Sequence, residues 1–166
     1  MGNRNIGFDM QPVGFSQTLL AHEAGHVLAS LHYGATEAHI ICRDDIIEVQ
    51  TDFDDPPGGV APLAIIFGGV IAERMWGGDH APVANHNGDI LELLQTPLGE
   101  HDQELVDTIL LYSPPLDEAA LWEELLEVET VLQRCLFDVD FDQMQRDLTQ
   151  RGRALVKGGA SNAVLH

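Results

Sequence analysis

The stretch Leu19-Leu20-Ala21-His22-Glu23-Ala24-Gly25-His26-Val27-Leu28-Ala29-Ser30-Leu31 decides how the chain is read. Leu20, Ala24, Val27, Leu28 and Leu31 recur at helical spacing on one apolar side. Ser16 can cap the start and Gly34 supplies a stop, so the pattern predicts a helix over residues 17–33. His22 and His26 are four apart, which puts both rings on one helix face, a turn from each other. Two imidazoles so placed can meet at a single zinc ion, and Glu23 beside them is suited to take a proton from a zinc-bound water. The plainer alternative is two hydrogen-bonded histidines on an ordinary amphipathic helix. The apolar setting and the glycine stop favour the metal.

The 166 residues are enough for one domain with a proper core, and the 45% hydrophobic share is ordinary. Charge is the unusual property. Twenty-seven acids against eight bases give −19, which repels nucleic acid and anionic membrane surfaces alike. Cys42 and Cys135 form neither a disulfide framework nor a Cys-x-x-Cys knuckle, which fits a reducing compartment. No basic-then-apolar leader is present, and the apolar run at Val60–Trp76 is interrupted by Gly68-Gly69 and Glu73-Arg74. The expectation is a cytoplasmic protein with no membrane span.

Downstream of Gly34 the pattern changes to two β-branched runs, 38–42 and 46–51, around Arg43-Asp44-Asp45, which read as a hairpin. Residues 52–59 form an acidic, Pro/Gly-rich loop. A second apolar helix is expected over 61–76, stopped by Gly77-Gly78, and a polar loop over 79–88. Asp89 then opens the short run 90–94. Further helices are expected at 101–112, 117–137 and 141–156, the longest with Leu121, Leu125, Val128, Leu132 and Leu136 in a stripe that suits core or subunit contact. The ends, 1–14 and 157–166, read as flexible, apart from a short extended piece at 6–8. The fold class is mostly α, of α+β type: one domain over 1–166, core about 15–156, with a small β-hairpin beside the motif helix.

A catalytic zinc needs a third protein ligand. Glu73, His80, His86 and Asp89 are the candidates, with His39 and Asp79 behind them, and spacing does not choose. For each alone the ordinary role is commoner: a His in a polar loop is solvated, and a carboxylate at a helix start is an N-cap.

The order of motifs adds a resemblance. His22-Glu23-Ala24-Gly25-His26, a β-rich stretch, Phe67-Gly68-Gly69-Val70-Ile71-Ala72-Glu73-Arg74-Met75-Trp76-Gly77-Gly78, then Asn87-Gly88-Asp89-Ile90 together resemble the protease domain of FtsH-type zinc metallopeptidases over residues 16–112. That family has HEAGH, a GGRAAEE-like helix followed by glycine, and an Asn-Asp pair opening a helix. The resemblance implies a zincin-like helical peptidase, with Asp89 as third zinc ligand and Glu73 in a supporting helix. Gly88 stands where the family has Asn, and the Thr-rich lead-in is missing, which leaves His86 and Glu73 as alternatives. The family joins this domain to an ATP-driven unfoldase and a membrane anchor. The present sequence contains neither a phosphate-loop motif nor a spanning segment.

The expectation is therefore a zinc metalloendopeptidase, with zinc on His22, His26 and Asp89 and with Glu23 as the base. It would act on unfolded protein or peptides without ATP, alone or with a separate unfoldase, and the resemblance implies a homo-oligomer. The rival is a non-catalytic binding or regulatory module on the same fold, with the acidic loop 52–55 in its cleft. A zinc ion that only stabilises the fold ranks lower, because such a site has no use for Glu23.

Overall fold

The computed structural model describes residues 14–78 and 81–156. The expected extended piece at 6–8, the tail 158–166, and Asp79 and His80 lie outside the described residues.

Helix α1 (Gln17–His32) starts where Ser16 Oγ accepts the Leu19 amide at 3.1 Å, the side-chain cap read from the sequence. Gly34, at φ 96°, takes the chain out of it. Strands β1 (Glu37–Arg43) and β2 (Ile46–Asp52) then form an antiparallel hairpin in the register Arg43↔Ile46 to Glu37↔Asp52. Its two-residue turn needs positive φ at both centres, and Asp44 and Asp45 adopt 54° and 65°.

Helix α2 (Ala61–Gly77) begins at a proline-bearing first turn and ends on left-handed Gly78. Short 3-10 turns follow at Val83–Asn85 and Ile90–Leu94, then α3 (Glu100–Tyr112) and α4 (Glu118–Cys135), which runs into a 3-10 turn at Leu136–Asp138. Leu121, Leu125, Val128, Leu132 and Leu136 are fully buried, so the stripe is core.

The last helix is shorter than its sequence suggests. α5 (Phe141–Arg151) stops at Gly152, φ 69°, and β3 (Arg153–Leu155) turns back to pair with β1. Pairing with β1, through His39↔Leu155, Ile40↔Ala154 and Ile41↔Arg153, overrides the helical pattern. The sheet order is β2-β1-β3, which leaves β2 at one edge. The architecture is mostly α with a small three-stranded antiparallel sheet. Among the described residues no helix is long and apolar enough to cross a membrane.

Helices α1 and α2 make the most intimate contact in the molecule. A Cβ on Gly25 would run into the Gly68 carbonyl and come within 2.6 Å of the Ala72 Cβ; one on Gly68 would sit 2.9 Å from Ala29 Cβ. Backbone therefore meets backbone at this crossing. Phe67 and Ile71 of α2 and Leu20 and Leu28 of α1 fill the core on either side.

Candidate metal centre

Helix α1 carries His22 into the interior, 3% exposed, with His26 one turn on at the mouth of a cavity. Each ring is held from behind by its Nδ1. His22 Nδ1 donates to Glu73 Oε1 at 2.9 Å, and His26 Nδ1 donates to the Ile65 carbonyl at 3.1 Å. Both acceptors belong to α2. A proton held on Nδ1 leaves Nε2 of each ring as the nitrogen that could ligate, a common outer arrangement of metal-bound histidines.

The two Nε2 atoms converge on Asp102, in the first turn of α3. Asp102 Oδ2 lies 2.8 Å from His22 Nε2, and Oδ1 lies 3.3 Å from His26 Nε2. One donor atom from each of these three residues lies within 4.8 Å of the others. Asp102 is 3% exposed. Its Oδ2 has no hydrogen-bond donor aligned on it despite the short approach to His22, so the contact is one of charge rather than a directed bond.

Gly69 of α2 forms the floor. A Cβ there would collide with His26 Nε2 and come within 2.9 Å of His22 Nε2. The absent side chain lets both imidazoles lie directly against the α2 backbone. Two imidazoles and a carboxylate so placed, one carboxylate oxygen lacking a donor, could hold a metal ion.

Glu73 does more than back His22. Its Oε1 also accepts from Thr96 Oγ1 at 2.7 Å and its Oε2 from the Leu98 amide at 3.2 Å, tying the segment that leads into α3 to the same carboxylate. The neighbouring Arg74 turns away to the Leu93 carbonyl, 3.1 Å, so Glu73 is no ion pair with it.

The electrostatics follow from this packing. Burial alone would lower the His22 pKa, but Asp102, Glu73 and Glu23 outweigh it and carry it from 6.5 up to about 9. Burial would raise Asp102; the two imidazoles instead hold it well below the usual carboxylate range. Glu73 is likewise lowered, because its donors outweigh its burial. Glu23 goes the other way. Its burial raises its pKa, and the nearby imidazoles only partly offset that.

Glu23 lines the same cavity of about 790 Å³ as His22, His26 and Asp102. The other walls are β2, the loop residues Phe53, Pro56 and Pro57, and Ile65, Ile66 and Leu105. Asp54 and Asp55 of the acidic loop are not among the lining residues.

Of the residues singled out in the sequence, His22, Glu23, His26 and Glu73 come together. Asp89 stands elsewhere. It is exposed and caps the 3-10 turn at Ile90–Leu94, its Oδ1 accepting the Leu91 amide at 2.9 Å. Asp102, and not Asp89, is the carboxylate that meets the two imidazoles. His86 pairs with the Asp89 carbonyl at 3.0 Å and lies against Trp122, apart from the centre. His39 is buried in β1 with its Nε2 unpaired. Asp102 had a signal: with Val106, Ile109 and Leu110 it occupies one helical stripe, an acid at the head of an otherwise apolar face.

No family model matches the chain, and no curated protein or solved structure matches it either.

Proposed function

We propose that the chain is a zinc-dependent metallopeptidase that hydrolyses peptide bonds in unfolded segments or peptides, without ATP of its own. The observation that carries this reading is the convergence of His22 Nε2, His26 Nε2 and Asp102 at the wall of a cavity that Glu23 also lines. An acidic third ligand at the start of a later helix is what the FtsH-type resemblance implied, with Asp102 in the place of Asp89.

His22, His26 and Asp102 would hold the ion, which when bound supplies Lewis acidity toward a carbonyl and an acidified water. Glu73 and the Ile65 carbonyl keep both rings turned inward, so that Nε2 of each is the nitrogen offered to the ion. Glu23 takes a proton on its carboxylate and gives it to the departing amine nitrogen. Strand β2 has β1 on one side, and its other edge is available to align an extended peptide by backbone pairing. Ile46, Val49, Phe53, Ile65 and Leu105 offer that peptide an apolar wall. A cavity of about 790 Å³ accommodates a few side chains and not a folded domain, hence unfolded substrate. That substrate comes as free peptides or from an unfoldase on another chain. The free thiols of Cys42 and Cys135 fit the reducing cytoplasm.

The test is metal content together with cleavage of unfolded casein. About one zinc per chain and cleavage are expected of the wild type. Glu23→Gln should keep the zinc and lose the cleavage. If wild type and Glu23→Gln both hold zinc and neither cleaves, the chain is a binding module on this fold.

A further inference from the structure

At the opposite edge of the sheet from the cleft, β3, the end of β1 and the end of α5 line a second, half-open cavity of about 510 Å³, with its arginines exposed at the surface. Its lining includes Arg43, Arg151 and Arg153. Those are three of the eight lysines and arginines in a chain of net charge −19. The strand register explains the convergence. Ile41 faces Arg153 across the β1–β3 ladder, and Arg43 and Leu155 stand on the same face two residues to either side of that pair. Arg151 joins them from the last turn of α5.

Each arginine has an ordinary explanation taken singly. Arg151 complements the carbonyl end of α5, and a charge on β3 discourages stray strand pairing. Neither accounts for three guanidinium groups around one concavity. Among the described residues none of the three has a carboxylate partner, although acids outnumber bases more than threefold. Asp147, the one acid in the lining, sits four residues before Arg151, the favourable order for a helical ion pair. It instead accepts from Gln143 Nε2 at 2.9 Å. The arginines are left to the cavity.

We propose that this cavity binds the oxyanion of a small molecule, a phosphate or a cluster of carboxylates, through Arg43, Arg151 and Arg153. The guanidinium fork matches such groups two bonds at a time. Ile41 and Leu155 supply an apolar surface for the rest of the ligand. The volume is that of a small-molecule site, roughly 300–1,000 Å³. A nucleic acid is disfavoured because the remaining surface would repel its backbone. This site is independent of the metal centre and of the peptidase reading.

Pyrophosphate and citrate, titrated calorimetrically at constant ionic strength with chloride as control, test it. One or both should bind saturably at about one per chain and move the amide signals of Cys42, Gly152 and Arg153. Arg43→Gln and Arg153→Gln should each weaken binding about tenfold, as the loss of a charged hydrogen bond does. Asp147→Asn, which removes a repelling carboxylate, should strengthen it. Arg43 is exposed beside the hairpin turn, so its variant remains informative should Arg153→Gln disturb the short strand. No saturable binding above chloride, binding unchanged in Arg43→Gln, or binding of a glutamate-rich peptide alone would overturn the proposal.

Discussion

His22 Nδ1 donates to Glu73 Oε1 across the crossing of α1 and α2, 2.9 Å apart, and both groups are buried. This bond decides which nitrogen of His22 is free to ligate. Glu73→Gln would keep the size and lose the negative charge. Zinc affinity should fall about 10–100-fold, the usual cost of losing such a supporting acceptor. Competition with a chromophoric chelator measures it; affinity equal to wild type would remove Glu73 from the centre.

Asp102 and Asp89 should part company when mutated. Asp102→Asn should reduce bound zinc to a trace. Asp89→Ala should keep full stoichiometry and cost only about 0.5–2 kcal/mol of stability, the range for a lost cap. Metal analysis beside urea titration separates the two. Retained zinc in Asp102→Asn, or its loss in Asp89→Ala, would reverse the assignment.

The contrast between these acids shows what the sequence could say. Ser16, the hairpin and the His22–Glu23–His26 face depend on residues within a few positions of each other, and all were legible. Which later carboxylate meets the two imidazoles depends on how α2 and the 90–94 turn seat α3, about 80 residues beyond His22, and no local pattern encodes that. The resemblance points to Asp89 as a ligand, whereas the ordinary role of a carboxylate at a helix start, a cap, is the one its geometry shows. Strand β3 leaves no mark in the sequence for a similar reason. Three residues carry no periodicity, and only the register with β1 makes Arg153–Leu155 a strand.

Gly69→Ala should empty the site without unfolding the protein. The added methyl occupies the space bounded by both Nε2 atoms. Zinc stoichiometry should drop to near zero while far-UV circular dichroism stays helical, since alanine is the better helix former by about 1 kcal/mol. Gly25→Ala should act differently, forcing α1 and α2 apart at a cost of about 1–3 kcal/mol or more. A Gly69→Ala variant with full zinc would show that the two rings do not have to hold these positions to bind the ion.

The metal-free protein should lose stability as pH rises. His22 has a folded pKa of about 9 against 6.5 in the ordinary state, so it binds its proton more tightly when folded. Its contribution is complete below about 6.5 and vanishes as pH passes through about 9. Asp102 is depressed and contributes in the opposite sense, losing its share only as pH falls through the acid range. The melting temperature of chelator-treated protein should therefore decline between pH 6.5 and 9, and His22→Gln should flatten that decline. Zinc affinity should rise over the same interval, because the imidazoles must be deprotonated to ligate. A chelated protein whose melting temperature climbs across this window would contradict the pairing.

The crossing of α1 and α2 at Gly25 and Gly68 sets how freely such a centre can change over time. With main chain against main chain, no rotamer lies between the two helices to be exchanged for another. The position of His22 relative to Glu73 is then inherited from rigid backbones and not tuned by side chains. On the peptidase reading, substitutions along the cleft wall, at positions such as Ile46 or Leu105, would vary what is bound while the donor geometry stays constant. Variation is thereby confined to selectivity, and the centre itself tolerates little short of its loss.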